Sequence, residues 1–159
     1  MRKLLNLLAK NARMPQNELA LKLGMSEDEV SSEIDMLEKN GVIVGYRTVI
    51  DWDKTDSEMV TALIDVKVTP QRDMGFDRVA QRIYQFDEVE SVYLMSGGYD
   101  LSVLITGRTM KEVALFVSQK LSTMEYVSGT ATHFILKKYK EGGLVYDRHE
   151  DEQERIQLV

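Results

Sequence analysis

The sequence predicts an α+β protein in two parts, a three-helix head followed by a β-α-β-β-α-β domain. Three observations predict it. Apolar residues recur at helical spacing through residues 1–40. Further on they alternate at strand spacing in four stretches, with two helical stretches among them. Between the two rhythms lies "DWDKTDSE", residues 51–58, a polar and acidic stretch that reads as a linker. The expected organisation is therefore a head over 1–50, a linker over 51–58, a sheet domain over 59–140 and a charged tail over 141–159.

In the head, Leu4, Leu5 and Leu8 give the first helix its apolar face. Pro15 stands where a second helix begins, a position that tolerates a missing N–H. Leu19, Ala20 and Leu23 form its buried stripe, and Gly24 is placed to end it in a left-handed cap. Ser26 with Glu29 three residues on is the spacing of a capping box, in which each side chain satisfies a free backbone N–H. Val30, Ile34 and Leu37 continue at i, i+4 and i+7, and Asn40-Gly41 stops the third helix. "VIVGYRTVI", residues 42–50, then reads as a strand. Two helices joined by a tight glycine turn, with a short helix before and a strand after, make a winged helix-turn-helix. A small bundle that only mediates contacts has the same pattern.

In the second part Val60, Ala62, Ile64, Val66 and Val68 alternate as a strand. Phe76, Val79, Ala80 and Ile83 have helical spacing. Val92 and Leu94 alternate, "SGGYD" intervenes, and Leu101, Val103 and Ile105 make a third strand. Met110, Val113, Ala114, Val117 and Leu121 mark a second helix, and Thr130, Thr132, Phe134 and Leu136 line one face of a last strand. This order is that of a ferredoxin-like fold. Its sheet has helices on one face only, so the other face needs a partner and oligomers are expected. The tail over 140–159 either adds an edge strand or is solvated.

Composition narrows the function. With 43% hydrophobic and 29% charged residues the chain suits a globular protein rather than a disordered one. No apolar run approaches the roughly 18 residues of a membrane helix. The basic, leucine-rich start is broken by Asn6 and Lys10, with no small-residue cleavage site after it, so it is not read as a signal peptide. The absence of cysteine excludes disulfides and thiolate ligands and fits a cytoplasmic protein. His133 and His149 have no ligand-like neighbours at metal spacing, and neither nucleophile nor nucleotide-binding motifs occur. Asp73, Asp77, Asp87, Glu88 and Glu90 read as a solvated face. The chain is not expected to be an enzyme or to carry a cofactor.

The glycine stretch has two readings. Gly97 and Gly98 supply positive φ to a tight hairpin, or the turn is also a ligand site. In the second reading its free amides hold a carboxylate, Asp100 holds an ammonium, Tyr99 supplies a wall, and Thr130 and Thr132 line the pocket from the last strand.

Several of these stretches, in order and over nearly the whole chain, resemble the Lrp/AsnC, or feast/famine, transcription regulators. "LLNLLAKNARMPQNELALKLGMS" is similar to that family's first two helices and turn, and "LEKNGVIVGYRTVID" to its third-helix exit. "SGGYDLSVLI" is similar to its G-x-Y-D hairpin, matched by Gly97, Tyr99 and Asp100, and "VSGTATHFILKKYK" to its last strand, with Thr132 at the family's threonine. The resemblance implies a double-stranded DNA reader joined to a domain that senses a small effector, an amino acid. It also implies dimers that pair through their sheets and assemble into octamers.

One departure raises a question. Where that family carries arginines on its third helix, this chain has Ser32, Glu33, Asp35 and Met36. Between Glu27 and Lys39 stand six acids and one base. The head as a whole is neutral, with seven acids and seven bases in 1–50, and the net charge of −6 resides in the remainder. Carboxylates at the N-terminus of a reading helix oppose the main source of DNA affinity. DNA contact is then expected from Lys22, Arg47 and the N-terminal bases on phosphate, with Ser31 and Ser32 as neutral contacts and oligomer avidity adding to them. The rival expectation is a head that meets a protein partner instead.

Overall fold

A computed structural model describes residues 1–69 and 75–146. Asp73, His149 and most of the charged tail lie outside the described residues. The chain divides into two compact units, Met1–Val49 and Ile50–Val159.

The first unit is three helices: α1 (Arg2–Lys10), α2 (Gln16–Leu23) and α3 (Glu27–Lys39). Each ends where local chemistry dictates. Pro15, in the extended region, forms the N-cap of α2, and Gly24 closes that helix at φ 68° and ψ 36°, a left-handed cap. Ser26 and Glu29 form a reciprocal capping box at the start of α3. Leu4, Leu8, Leu19, Ala20, Val30 and Leu37 make the buried core, with Ile34 and Leu23 packed against it.

The strand expected over 42–50 does not form. The amides of Val42 and Ile43 both donate to the Leu37 carbonyl, which finishes the helix rather than starting a ladder. A strand requires a neighbour to pair with, and this unit contains only helices among its described residues.

The second unit opens with a 3-10 turn, Trp52–Lys54. It continues as β1 (Val60–Val68), α4 (Asp77–Ile83), β2 (Val89–Leu94), β3 (Leu101–Gly107), α5 (Met110–Phe116) and β4 (Val127–Phe134). The α5 helix runs on as a π-helical turn, Val117–Leu121. The sheet has the order β2-β3-β1-β4, antiparallel throughout. This is the ferredoxin-like topology.

Strand alternation sorts the side chains. Ala62, Ile64, Val66, Leu101, Val103 and Ile105 point into the core with Val79, Ile83, Val113, Phe116 and Leu121. Leu63, Asp65, Lys67, Ser102 and Leu104 alternate onto the opposite face. On that face Asp65 is joined by His133 Nε2 at 3.2 Å and by the Ser102 hydroxyl at 3.4 Å. The π-helical turn is tied down by Lys120, whose Nζ is 2.5 Å from Glu88 and lies over the rings of Phe86 and Phe116 at 5.0 and 5.2 Å.

Two expectations near the C-terminus change. Leu136 lies beyond β4 and is 87% exposed, so it lines no strand face. Residues 140–145 form neither an edge strand nor a merely solvated tail; they make a separate hairpin of β5 (Lys140–Glu141) and β6 (Leu144–Val145). Gly142 and Gly143 turn it with positive φ, and Tyr146 hydrogen-bonds Glu141 beside it.

Candidate functional site

Helix α3 buries Val30 and Leu37 and turns Glu27, Asp28, Ser32, Asp35 and Met36 outward. Ser31 is half-buried, so of the two serines Ser32 is the exposed one. Three of the six acids have work inside the unit. Glu29 belongs to the capping box, and its bonds to the backbone and hydroxyl of Ser26 hold its carboxyl below the usual range. Glu33 pairs with the Met1 amine at 2.6 Å. Glu38 accepts from the Tyr46 hydroxyl at 2.8 Å, which raises the phenol's pKa and pins the chain leaving α3. Glu27, Asp28 and Asp35 have no such partner among the described residues. Glu27 and Asp28 add negative charge in the first turn, where it complements the dipole.

The bases lie elsewhere. Lys22 is half-exposed and 3.4 Å from Glu18, an i,i+4 pair. Arg47 is exposed and already engaged within the chain. Sequence reasoning counted Lys3 and Lys10 only as N-terminal bases. The structure sets them with Lys22 around one groove of about 400 Å³ between α1 and α2, whose other lining residues are Asn6, Leu7 and Leu23. The spacing Lys3 to Lys10, i to i+7, was the available signal for a shared helix face.

In the second unit the glycine stretch closes between β2 and β3. The Met95 amide donates to the Asp100 carbonyl at 2.8 Å, and the Asp100 amide to Val66 at 3.0 Å. Gly97 adopts φ 152°, which favours glycine; Gly98 has no positive φ, contrary to expectation, so one glycine suffices for the turn. The amides of Gly97, Gly98 and Tyr99 sit at the exposed tip, and the Tyr99 ring is 39% exposed.

The Asp100 carboxylate is already occupied. It accepts from the Val68 amide at 2.8 Å and stands 3.3 Å from Lys67 Nζ. The Val68 amide is the main reason its pKa falls below the usual range, with Lys67 adding a hydrogen bond and a charge. Lys67 also donates to the Gly98 carbonyl at 3.0 Å, so one ammonium braces the loop from both ends. A β-bulge between Lys67 and Val68, where the β4 register shifts, accompanies this arrangement. Neither Lys67 nor the bulge was singled out from sequence.

Thr130 pairs with Val66 across β1, and Thr132 with Ile64. Because Val66 also pairs with Leu101 at the loop's exit, Thr130 is level with the loop but two strand spacings away, about 10 Å. Its hydroxyl lies 3.3 Å from that of Ser122. Thr132 is one inward position further from the loop. The structure thus joins Gly98 and Asp100 directly through Lys67 and leaves the threonines across the central strand. Among the described residues no group of three or more His, Cys, Asp or Glu is placed to hold a metal.

Residues 1–44 match the model for a winged helix-turn-helix DNA-binding domain, and residues 61–145 match the model for the Lrp/AsnC ligand-binding domain. The HTH-type transcriptional regulator YugG of Bacillus subtilis is 55% identical over 94% of this chain and 91% of its own length. The proline dehydrogenase transcriptional activator of Rhodobacter capsulatus is 28% identical over 88% of this chain and 90% of its own. Among solved structures, the feast or famine regulatory protein of M. tuberculosis complexed with L-methionine superposes with a TM-score of 0.72. Its identity is 26%, over 93% of this chain and 94% of that one.

Proposed function

We propose, for a chain that belongs to the Lrp/AsnC family of DNA-binding transcription regulators, that the loop at Gly97–Asp100 takes an α-amino acid and that the protein works as a cytoplasmic homo-oligomer. The observation that carries this reading is the Asp100–Lys67–Gly98 cluster. It places a carboxylate and an ammonium a hydrogen bond apart beside exposed amides. An amino acid presents the complementary pair. Its ammonium takes Asp100, and its carboxylate takes Lys67 or the tip amides, in charge-assisted bonds. The ligand therefore exchanges an internal ion pair for two external ones. The L-methionine in the mycobacterial relative supports the ligand class and does not name the ligand here.

Oligomerisation is supported by the sheet. Both helices of the unit pack on one face, while Tyr93, half exposed, shares the other with Lys67, Asp65 and His133. Ligand bound near a subunit contact shifts DNA affinity only if it favours one assembly over another.

Calorimetry of the purified protein against the common amino acids tests the sensing role. At least one is expected to bind, and Asp100→Asn, which retains an acceptor for the Val68 amide, weakens it tenfold or more. Unchanged affinity removes Asp100 from the site. For the head, Lys22→Ala and Arg47→Ala are each expected to flatten the salt dependence of binding to duplex selected from a random pool. The three free acids of α3 favour a second reading, in which the head meets protein; a pool that yields no enriched duplex favours it.

A further inference from the structure

We propose that α3 of one copy docks into the α1–α2 groove of a second copy, so that heads hold each other when DNA does not hold them. The proposal goes beyond the reading above and depends on neither the operator nor the effector. It rests on two complementary surfaces of the same small unit. Asp28, Ser32, Asp35 and Met36 lie at i, i+4, i+7 and i+8, a single exposed stripe of α3. Glu27, Asp28 and Asp35 have no partner among the described residues, and Met36 is 49% exposed. The groove offers the opposite character: Lys3, Lys10 and Lys22 around Leu7 and Leu23. Lys3 and Lys10 have no ion-pair partner among the described residues, and Lys22 has only its neighbour Glu18.

A second copy fits this groove better than a DNA backbone does. A phosphate chain uses the lysines but has no need of the apolar floor. A helix carrying carboxylates beside a methionine uses both, in the manner of an amphipathic helix in a groove. The acids and the lysines belong to different faces of one unit, so the contact is head-to-tail and joins copies in series. An α3 held in this way is withdrawn from DNA, and its own acids then act as a brake on its reading.

The test is zero-length carbodiimide cross-linking of the full-length protein without DNA, followed by peptide mapping of the covalent dimer and of the uncrosslinked-size band. The expected products join Lys3, Lys10 or Lys22 to Glu27, Asp28 or Asp35. They are confined to the dimer and lost at high salt. Lys10→Glu alone and Asp35→Lys alone each abolish them, and the two together restore them. Both positions are exposed helix sites, and circular dichroism confirms that the variants fold. Absence of these products at low salt overturns the proposal, as does their survival in both single variants. If they are absent and Lys10→Glu instead weakens binding to duplex DNA, the groove is a phosphate contact. Because the cross-link is read without DNA or effector, its failure leaves the regulator reading untouched.

Discussion

The head and the sheet unit are held together in different ways. The head buries six apolar residues in its core, and its helix ends are set by neighbours a few positions apart, as in Ser26 with Glu29. The sheet unit buries thirteen among its described residues, and its contacts link distant segments: Val68 to Asp100, Lys120 to Glu88, His133 to Asp65. A small core makes each residue a larger share of the total, and local contacts form quickly with little loop closure. A large core built from distant strands tolerates surface change but depends on register. The helix-turn-helix thus lies on the part that a single change undoes most readily, and the glycine loop proposed as the ligand site on the part that is harder to undo.

The largest effects break this comparison outright. Leu37→Ala and Ile64→Ala each remove a side chain that is 1% exposed or less and should each cost about 2–5 kcal/mol. The single tryptophan, Trp52, lies in the sheet unit, so its fluorescence reports that unit alone. Leu37→Ala is expected to lower the melting temperature seen by far-ultraviolet dichroism while leaving the fluorescence transition in place. Ile64→Ala is expected to move the fluorescence transition. If both probes move together in both variants, the units melt as one and the contrast fails.

Asp100→Ala comes next. It leaves the Val68 amide without its acceptor and frees Lys67, so the fluorescence transition falls. Asp100→Asn keeps the acceptor and should retain most of the stability while losing the charge. Equal melting temperatures for the two variants would show that the amide bond does not matter.

Ser26→Ala sharpens the head side. Loss of the capping box should cost about 1 kcal/mol, visible in dichroism and silent in Trp52 fluorescence. A loss too small to measure would mean that packing alone defines the start of α3.

The pH dependence is the smallest effect. Glu29, Glu88 and Asp100 all have depressed pKa values in the fold. Their contribution is complete above the usual carboxylate range, about 4. It is lost as pH falls through the lowered values. Melting temperature should therefore stay level from neutral pH down to about 5 and decline only below that. A decline that begins near neutrality would show that these three carboxylates do not set the acid limit.

The same contrast governs how much was legible in the sequence. Gly24, Ser26, Glu29 and the apolar stripe of α3 are local signals, and the helices came out where those residues put them. Strand alternation likewise placed the four strands of the sheet. The failures share a cause. Residues 42–50 have strand composition, but pairing depends on a partner that composition does not reveal. The state of Asp100 depends on a bulge 32 residues earlier, and nothing in "VKVT" marks a bulge. Lys3, Lys10 and Lys22 were visible as charges, yet their meeting around one groove needed the packing of α1 on α2.

The position of β1 has a consequence for how this protein can be altered. Val66 is paired on one side with the exit of the glycine loop and on the other with Thr130, and the offset between Lys67 and Val68 sets the end of the strand. The strand therefore acts as a ruler with a fixed parity. Substitutions along it or along β4 can be tried one at a time, each changing one wall. Adding or deleting a single residue between Val60 and Lys67 would exchange the two faces for everything beyond it, carrying Lys67 away from the loop and turning core valines outward. Changing the surroundings of the loop is thus a matter of changing letters, with the length of this segment held constant.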